Sequence, residues 1–82
     1  MSNRLTLQDL RRLAAAHLGQ PLAEVGSQHR LVEDLGVDSL EMHALLIDIE
    51  DAGGTIPSAE ALRDVQTLAD LHAAIEAQGA AP

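Results

Sequence analysis

Ser39 and His43 stand four residues apart in a segment of helical character, a spacing that puts a hydroxyl and an imidazole on one face. Such a pair is the start of a serine nucleophile with its general base. No oxyanion device or enclosed pocket is legible around it, and 82 residues leave little protein to surround a substrate. Independent hydrolase chemistry is set aside, and the protein is not expected to be an enzyme. Asp34-Leu35-Gly36-Val37-Asp38 has the look of a calcium loop, yet its glycine is misplaced and loop position twelve is Leu45 where a bidentate glutamate is needed. His17, His29, His43 and His72 share no metal-ligand spacing, and His17, on the apolar side of its helix, reads as a partly buried packing residue. The absence of cysteine removes disulfides, thiolate metal sites and a thiol nucleophile, and fits a reducing, cytoplasmic setting. What remains at Ser39 is a hydroxyl in the first turn of a helix, where free backbone amides and the positive end of the helix dipole stabilise an anion such as phosphate. Read by itself, a serine there is also an ordinary part of a helix cap.

The elements that must position Ser39 follow from the pattern around it. Asp38-Ser39-Leu40-Glu41 has the form of a capping box and opens a helix running to about Ala52, closed by Gly53-Gly54. Upstream, Thr6-Leu7-Gln8-Asp9 starts an amphipathic helix in which Leu7, Leu10, Leu13, Ala14 and Leu18 recur at helical spacing until Gly19 and Pro21 stop it. Between the two, Gln20 to Val37 holds no period and is punctuated by Pro21, Gly26 and Gly36, which predicts a long loop pinned by Leu22, Val25, Leu31 and Leu35. Downstream, Ser58 caps a short third helix to about Arg63, and Thr67-Leu68-Ala69-Asp70 begins a last helix carrying Leu68, Leu71, Ala74 and Ile75 inward. Gln78 to Pro82 is expected to be a disordered tail. No strand pattern emerges. The expected fold class is all-α: one domain over 1–82, a small four-helix bundle with a long loop between helices 1 and 2 and a short third helix.

Charge narrows the partners. Thirteen acids against five arginines and no lysine give a net charge of -8, which argues against nucleic acid and anionic membranes. No apolar run approaches a membrane span, and Met1-Ser2-Asn3-Arg4 lacks the start of a secretory signal, so a stand-alone, monomeric cytoplasmic protein is expected. The acids are unevenly placed: between Leu31 and Leu62 lie eight of them and no lysine or arginine. On the second helix Met42, Leu45, Leu46, Ile49 and Ala52 form the inward stripe, while Leu40, Ala44 and Ile47 point outward between Glu41 and Asp48 on one edge and His43 and Glu50 on the other, with Asp51 continuing the strip. An apolar strip with an acidic rim suits docking to a basic protein surface.

Leu31-Val32-Glu33-Asp34-Leu35-Gly36-Val37-Asp38-Ser39-Leu40-Glu41 closely resembles the phosphopantetheine attachment region of acyl carrier proteins, whose hallmark is a leucine-glycine pair followed shortly by Asp-Ser-Leu and an acid. The resemblance extends from the first helix to Thr67-Leu68-Ala69-Asp70-Leu71. It implies that Ser39 receives 4'-phosphopantetheine from coenzyme A through a separate phosphopantetheinyl transferase, with Asp38 supporting that reaction. Acyl or aminoacyl groups would ride as thioesters on the arm's thiol to acyl-loading, acyl-transfer or condensing enzymes of fatty-acid, polyketide or related biosynthesis. A thioester on a flexible arm is activated for acyl transfer, and the thiol comes from the cofactor. The sequence departs from the family pattern at Ala44, often a docking glutamate, at His43, often small and aliphatic, and at Ala52-Gly53-Gly54, where a bulky apolar residue usually precedes the glycine. The reading of a different class is a small acidic helical adaptor that binds its partner through Leu40, Ala44 and Ile47 and has Ser39 as an ordinary cap.

Overall fold

The structure, a computed structural model, describes residues 5–80, and the side chains of residues 5–78. Among the described residues four α-helices are present: α1 (Leu7–Leu18), α2 (Ser39–Asp51), α3 (Ala59–Leu62) and α4 (Leu68–Ala80), with a 3-10 turn at Leu22–Glu24. The all-α reading holds among the described residues, the one β-type pairing being an isolated bridge between Arg30 and Thr67.

Each helix begins where a side-chain acceptor can satisfy a free amide. Thr6 Oγ1 accepts from Asp9 N at 3.0 Å while Asp9 Oδ2 accepts from Thr6 N at 3.0 Å, a complete capping box. Thr67 and Asp70 do the same for α4, with Asp70 Oδ2 also accepting from Gln66 N at 3.1 Å. Ser58 Oγ accepts from Ala61 N at 3.2 Å at the start of α3. Gly19, at φ 66°, ends α1 in the left-handed conformation that glycine adopts without cost.

α1 packs against both α2 and α4. Leu10, Ala14, Leu45, Leu46, Ile49, Leu68, Leu71 and Ile75 fill the core, joined by Val25, Leu31, Leu35 and Val37 from the long connection. The inward stripe of α2 is therefore Leu45, Leu46 and Ile49, with Met42 half-buried beside it. Ala52 departs from the expectation and is exposed, because α2 ends one residue earlier and the chain turns away through Gly53 at φ 97°. Gly54 is needed for space: a Cβ there would lie 2.8 Å from both Ile49 Cγ2 and Leu5 Cδ1. The tail expected from Gln78 is also corrected, since α4 continues through Ala80, and Ala81 and Pro82 lie outside the described residues. Alanine and glutamine favour the helix there, and one glycine near a helix end costs too little to stop it.

The connection from Gln20 to Val37 is tied down more firmly than apolar pinning alone would achieve. Arg11 reaches across from α1 and donates from Nε to Val25 O at 2.8 Å, from Nη2 to Leu22 O at 3.0 Å and from Nη1 to Gln8 Oε1 at 2.9 Å. Beyond it, Leu31 N donates to Gln66 O at 2.7 Å and Ala69 N to Ser27 O at 3.0 Å, fastening the loop to the start of α4. A guanidinium fork satisfies two carbonyls at once, which an ammonium cannot copy. Arg11→Met should keep most of the aliphatic packing but cost about 1 to 3 kcal/mol, since the partly buried carbonyls lose their donors. Urea denaturation followed by far-UV circular dichroism measures it, the chain having no aromatic fluorophore.

The caps also predict acid sensitivity. The Thr6 amide and hydroxyl hold Asp9 below the usual carboxylate range, and the Gln66 and Thr67 amides do so for Asp70. A carboxyl whose pKa is lower folded than unfolded contributes stability above its unfolded value, near about 4, and loses it as pH falls through the folded value. The double variant Asp9→Asn, Asp70→Asn should therefore lose less stability than wild type on acidification below about pH 4, read from denaturation midpoints across that range.

Candidate functional site

The approach to Ser39 is built by a tight turn and a buried anchor. Asp34 Oδ2 accepts from Arg30 N at 2.8 Å, and Asp34 N and Leu35 N both donate to Arg30 O, at 2.9 and 3.0 Å. Gly36 takes φ 71°, reversing the chain so that Val37 N meets Leu31 O at 2.8 Å and the Val37 side chain enters the core. Val37 and Leu35 thus fix the last step before α2, and the next residues emerge at the surface.

Asp38 is the N-cap of α2, with extended backbone at φ -92° and ψ 179°. Its Oδ1 accepts from Glu41 N at 2.7 Å and its carbonyl accepts from Met42 N at 2.9 Å. Only this half of the expected capping box forms. The return bond from Glu41 would bring a second carboxylate beside that of Asp38, a repulsion that the neutral Thr6 and Thr67 hydroxyls do not impose on Asp9 and Asp70. Ser39 follows as the first helical residue, exposed, with its hydroxyl in no hydrogen bond. The cap is therefore Asp38 alone, and the sequence expectation that Ser39 could be an ordinary cap does not hold.

Beside Ser39 an open groove runs between the 31–37 turn, α2 and α3, walled by Val32, Val37, Met42, Leu62 and Val65 with Asp38 and Ser39 on its rim. It continues past Val32, Met42 and Val65 to Arg30 and Gln66. Val32 is 68% exposed, a feature that sequence reading missed. The signal was present in the spacing: Leu31 and Leu35 are one helical turn apart and both buried, which leaves Val32 outside.

Along α2 the outward strip is real at its ends. Leu40 is 78% and Ile47 44% exposed, while Ala44 between them is half-buried. His43, Glu50 and Asp51 are exposed and Glu41 is partly so. Asp48 is the exception on the rim: its Oδ2 pairs with His17 Nε2 of α1, 2.5 Å away, so its charge is engaged within the fold. The His17 side chain, 25% exposed, is thus held by an acidic partner, where apolar packing was expected of it. Of the eight acids from Leu31 to Leu62, Glu33 pairs with Arg30, Asp34 and Asp38 accept backbone amides, and Asp48 meets His17. Glu41, Glu50, Asp51 and Glu60 carry the charge that nothing in the fold compensates. No three potential metal ligands stand together among the described residues.

Comparison with known proteins agrees with this architecture. Residues 8–75 match the family described as the phosphopantetheine attachment site. The acyl carrier protein of an Exiguobacterium species is 30% identical over 76 residues, covering 93% of this chain and 96% of that one. Acyl carrier protein 3 of Ralstonia nicotianae is 31% identical over 77 residues, 94% of this chain and 88% of that one. Acyl carrier protein MbtL of a Mycobacterium species is 35% identical over 57 residues, 70% of this chain and 64% of that one. The chain belongs to the acyl carrier protein family, whose members are carriers and not catalysts and work through a 4'-phosphopantetheine prosthetic group. The residues present fit that group: an exposed hydroxyl with no protein partner at a helix N-terminus, whose first amides suit a phosphate, beside a groove open along its length.

The separation of cap from hydroxyl yields a stability prediction. Ser39→Ala should change unfolding free energy by no more than about 0.5 kcal/mol, whereas Asp38→Ala should cost about 1 kcal/mol through loss of the cap. Paired urea titrations compare the two.

Proposed function

We propose that Ser39 is the attachment point of 4'-phosphopantetheine and that the protein carries acyl or aminoacyl groups as thioesters on that arm, presenting them to partner enzymes of fatty-acid, polyketide or related biosynthesis. In the loading reaction the Ser39 hydroxyl loses its proton, its oxygen forms an ester bond to the pantetheine-bearing phosphorus of coenzyme A, and 3',5'-ADP leaves. A separate transferase supplies the catalytic groups. The observation that carries the reading is that Ser39 Oγ is exposed and unbonded at the head of α2 while Asp38 takes over the capping that a serine there would otherwise perform. Asp38 supports the reaction by holding the first turn rigid with Ser39 turned outward.

Partner recognition belongs to the outer face of α2 in the same reading. Leu40, Ala44 and Ile47 supply apolar contact, and Glu41, Glu50 and Asp51 supply the negative rim for basic surfaces on transferase, acyl-loading and condensing enzymes. His43 lies on the edge of the strip beside Glu50, and Asp48 contributes at the opposite edge only in so far as His17 leaves its second oxygen open. Among the described residues no helix is long and apolar enough to cross a membrane. The protein works in the cytoplasm as a monomer in this proposal, with coenzyme A as the source of the arm.

Intact mass spectrometry after incubation with coenzyme A and a broad-specificity transferase tests it. One phosphopantetheine per chain is expected on wild type, Ser27→Ala and Ser58→Ala, and none on Ser39→Ala. Modification of folded Ser39→Ala, or no modification of wild type, rejects the assignment.

A further inference from the structure

His43 is the only side chain between Leu31 and Leu62 that can become a cation, and it stands one helical turn from Ser39. At about 100° per residue the two lie about 40° apart on α2, and a helical side chain leans toward the N-terminus, over the residue four before it. Both are exposed, and neither side chain has a partner in the fold. In the unmodified protein a solvated histidine in this place has nothing to hold.

A phosphodiester on Ser39 changes that. We propose that His43 is a positioning residue for the arm: its protonated imidazole pairs with the phosphate on Ser39 and leans the base of the arm along the outer face of α2, away from the groove at Met42 and Leu62. The inference rests on Ser39 being the attachment point. It departs from what the family resemblance implies, because the position is there often small and aliphatic and has no such contact to offer.

The surroundings leave the pairing to these two groups. Glu50 lies about 20° from His43 on the wheel but two turns along, farther than Ser39. Asp38, beyond Ser39 at the helix start, has one oxygen on Glu41 N. From α1, the helix packed against α2, His17 pairs with Asp48, about 140° around from His43. The groove walls contributed by the 31–37 turn and the segment around α3, namely Val32, Val37, Leu62 and Val65, are uncharged. A phosphodiester adds a negative charge to the edge of α2 that already holds uncompensated Glu50, so an imidazolium at His43 would meet two anionic groups there.

The test uses full-length chain loaded with excess transferase and coenzyme A, with folding checked by circular dichroism and the single addition at Ser39 by mass. Wild type, His43→Gln and His43→Arg are compared by phosphorus NMR between about pH 5 and 8, the range in which an imidazole takes up its proton. The phosphodiester is itself ionised throughout, so movement of its signal reports a neighbour, and His17, His29 and His72 are common to all three samples. The wild-type signal should follow a single sigmoid. His43→Gln should stay flat at the wild-type high-pH position, and His43→Arg flat near the low-pH position. A flat wild-type signal, or the same sigmoid in His43→Gln, overturns the role of His43 while leaving attachment intact. Absence of any phosphopantetheine on Ser39 overturns both readings.

Discussion

The segment between Gln20 and Val37 has to find hydrogen-bond partners for its peptide groups without the ladder of a long helix or a sheet, and the rest of the structure depends on how it does so. Arg11 answers for the first half by donating to the carbonyls of Leu22 and Val25, which anchors the 3-10 turn on α1. The backbone at the start of α4 answers for the second half through Gln66 and Ala69. With both halves held, Val25, Leu31, Leu35 and Val37 can be buried without aromatic residues to cover them. The position of Asp38, and with it the start of α2, is then decided by the turn at Gly36 and not by the helix itself.

A chain with thirteen acids would repel itself in any compact form unless many of them found local compensation. The fold supplies it largely through backbone amides at helix starts. Asp9, Asp38 and Asp70 each cap or complete a cap, and Asp34 closes a turn, so four carboxylates stabilise local structure with no cation required. The arginines are thereby released for other work, Arg11 on carbonyls and Arg30 beside Glu33. What is left unpaired is concentrated on α2 and α3, where repulsion within the chain is the cost of having an unneutralised face.

Much of this was readable from local pattern. Thr6, Ser58 and Thr67 announce helices because a cap is a short-range device whose partners lie three residues away, and the periodic leucines of α1 and α4 name their own core faces. The Asp38-Ser39-Leu40 triplet in its loop and helix context likewise carried the family. What escaped was tertiary. No periodicity tells that Arg11 turns toward Val25, that His17 meets Asp48, or that Val32 is left outside a turn in which both Leu31 and Leu35 are inside. The end of α4 escaped for a different reason: the last residues of a chain are ordinarily loose, and here weak propensities let the helix run on to Ala80.

At the head of α2 two adjacent residues divide their labour, Asp38 holding the first turn and Ser39 leaving its oxygen idle. The native state owes nothing to that oxygen. If Ser39 carries the arm as proposed, maturation can follow synthesis at any interval: a newly made chain reaches its final shape with the serine bare, and offers the modifying enzyme the same surface early or late. Removal of the arm would return it to the same waiting form, so the protein can outlive any one copy of its cofactor.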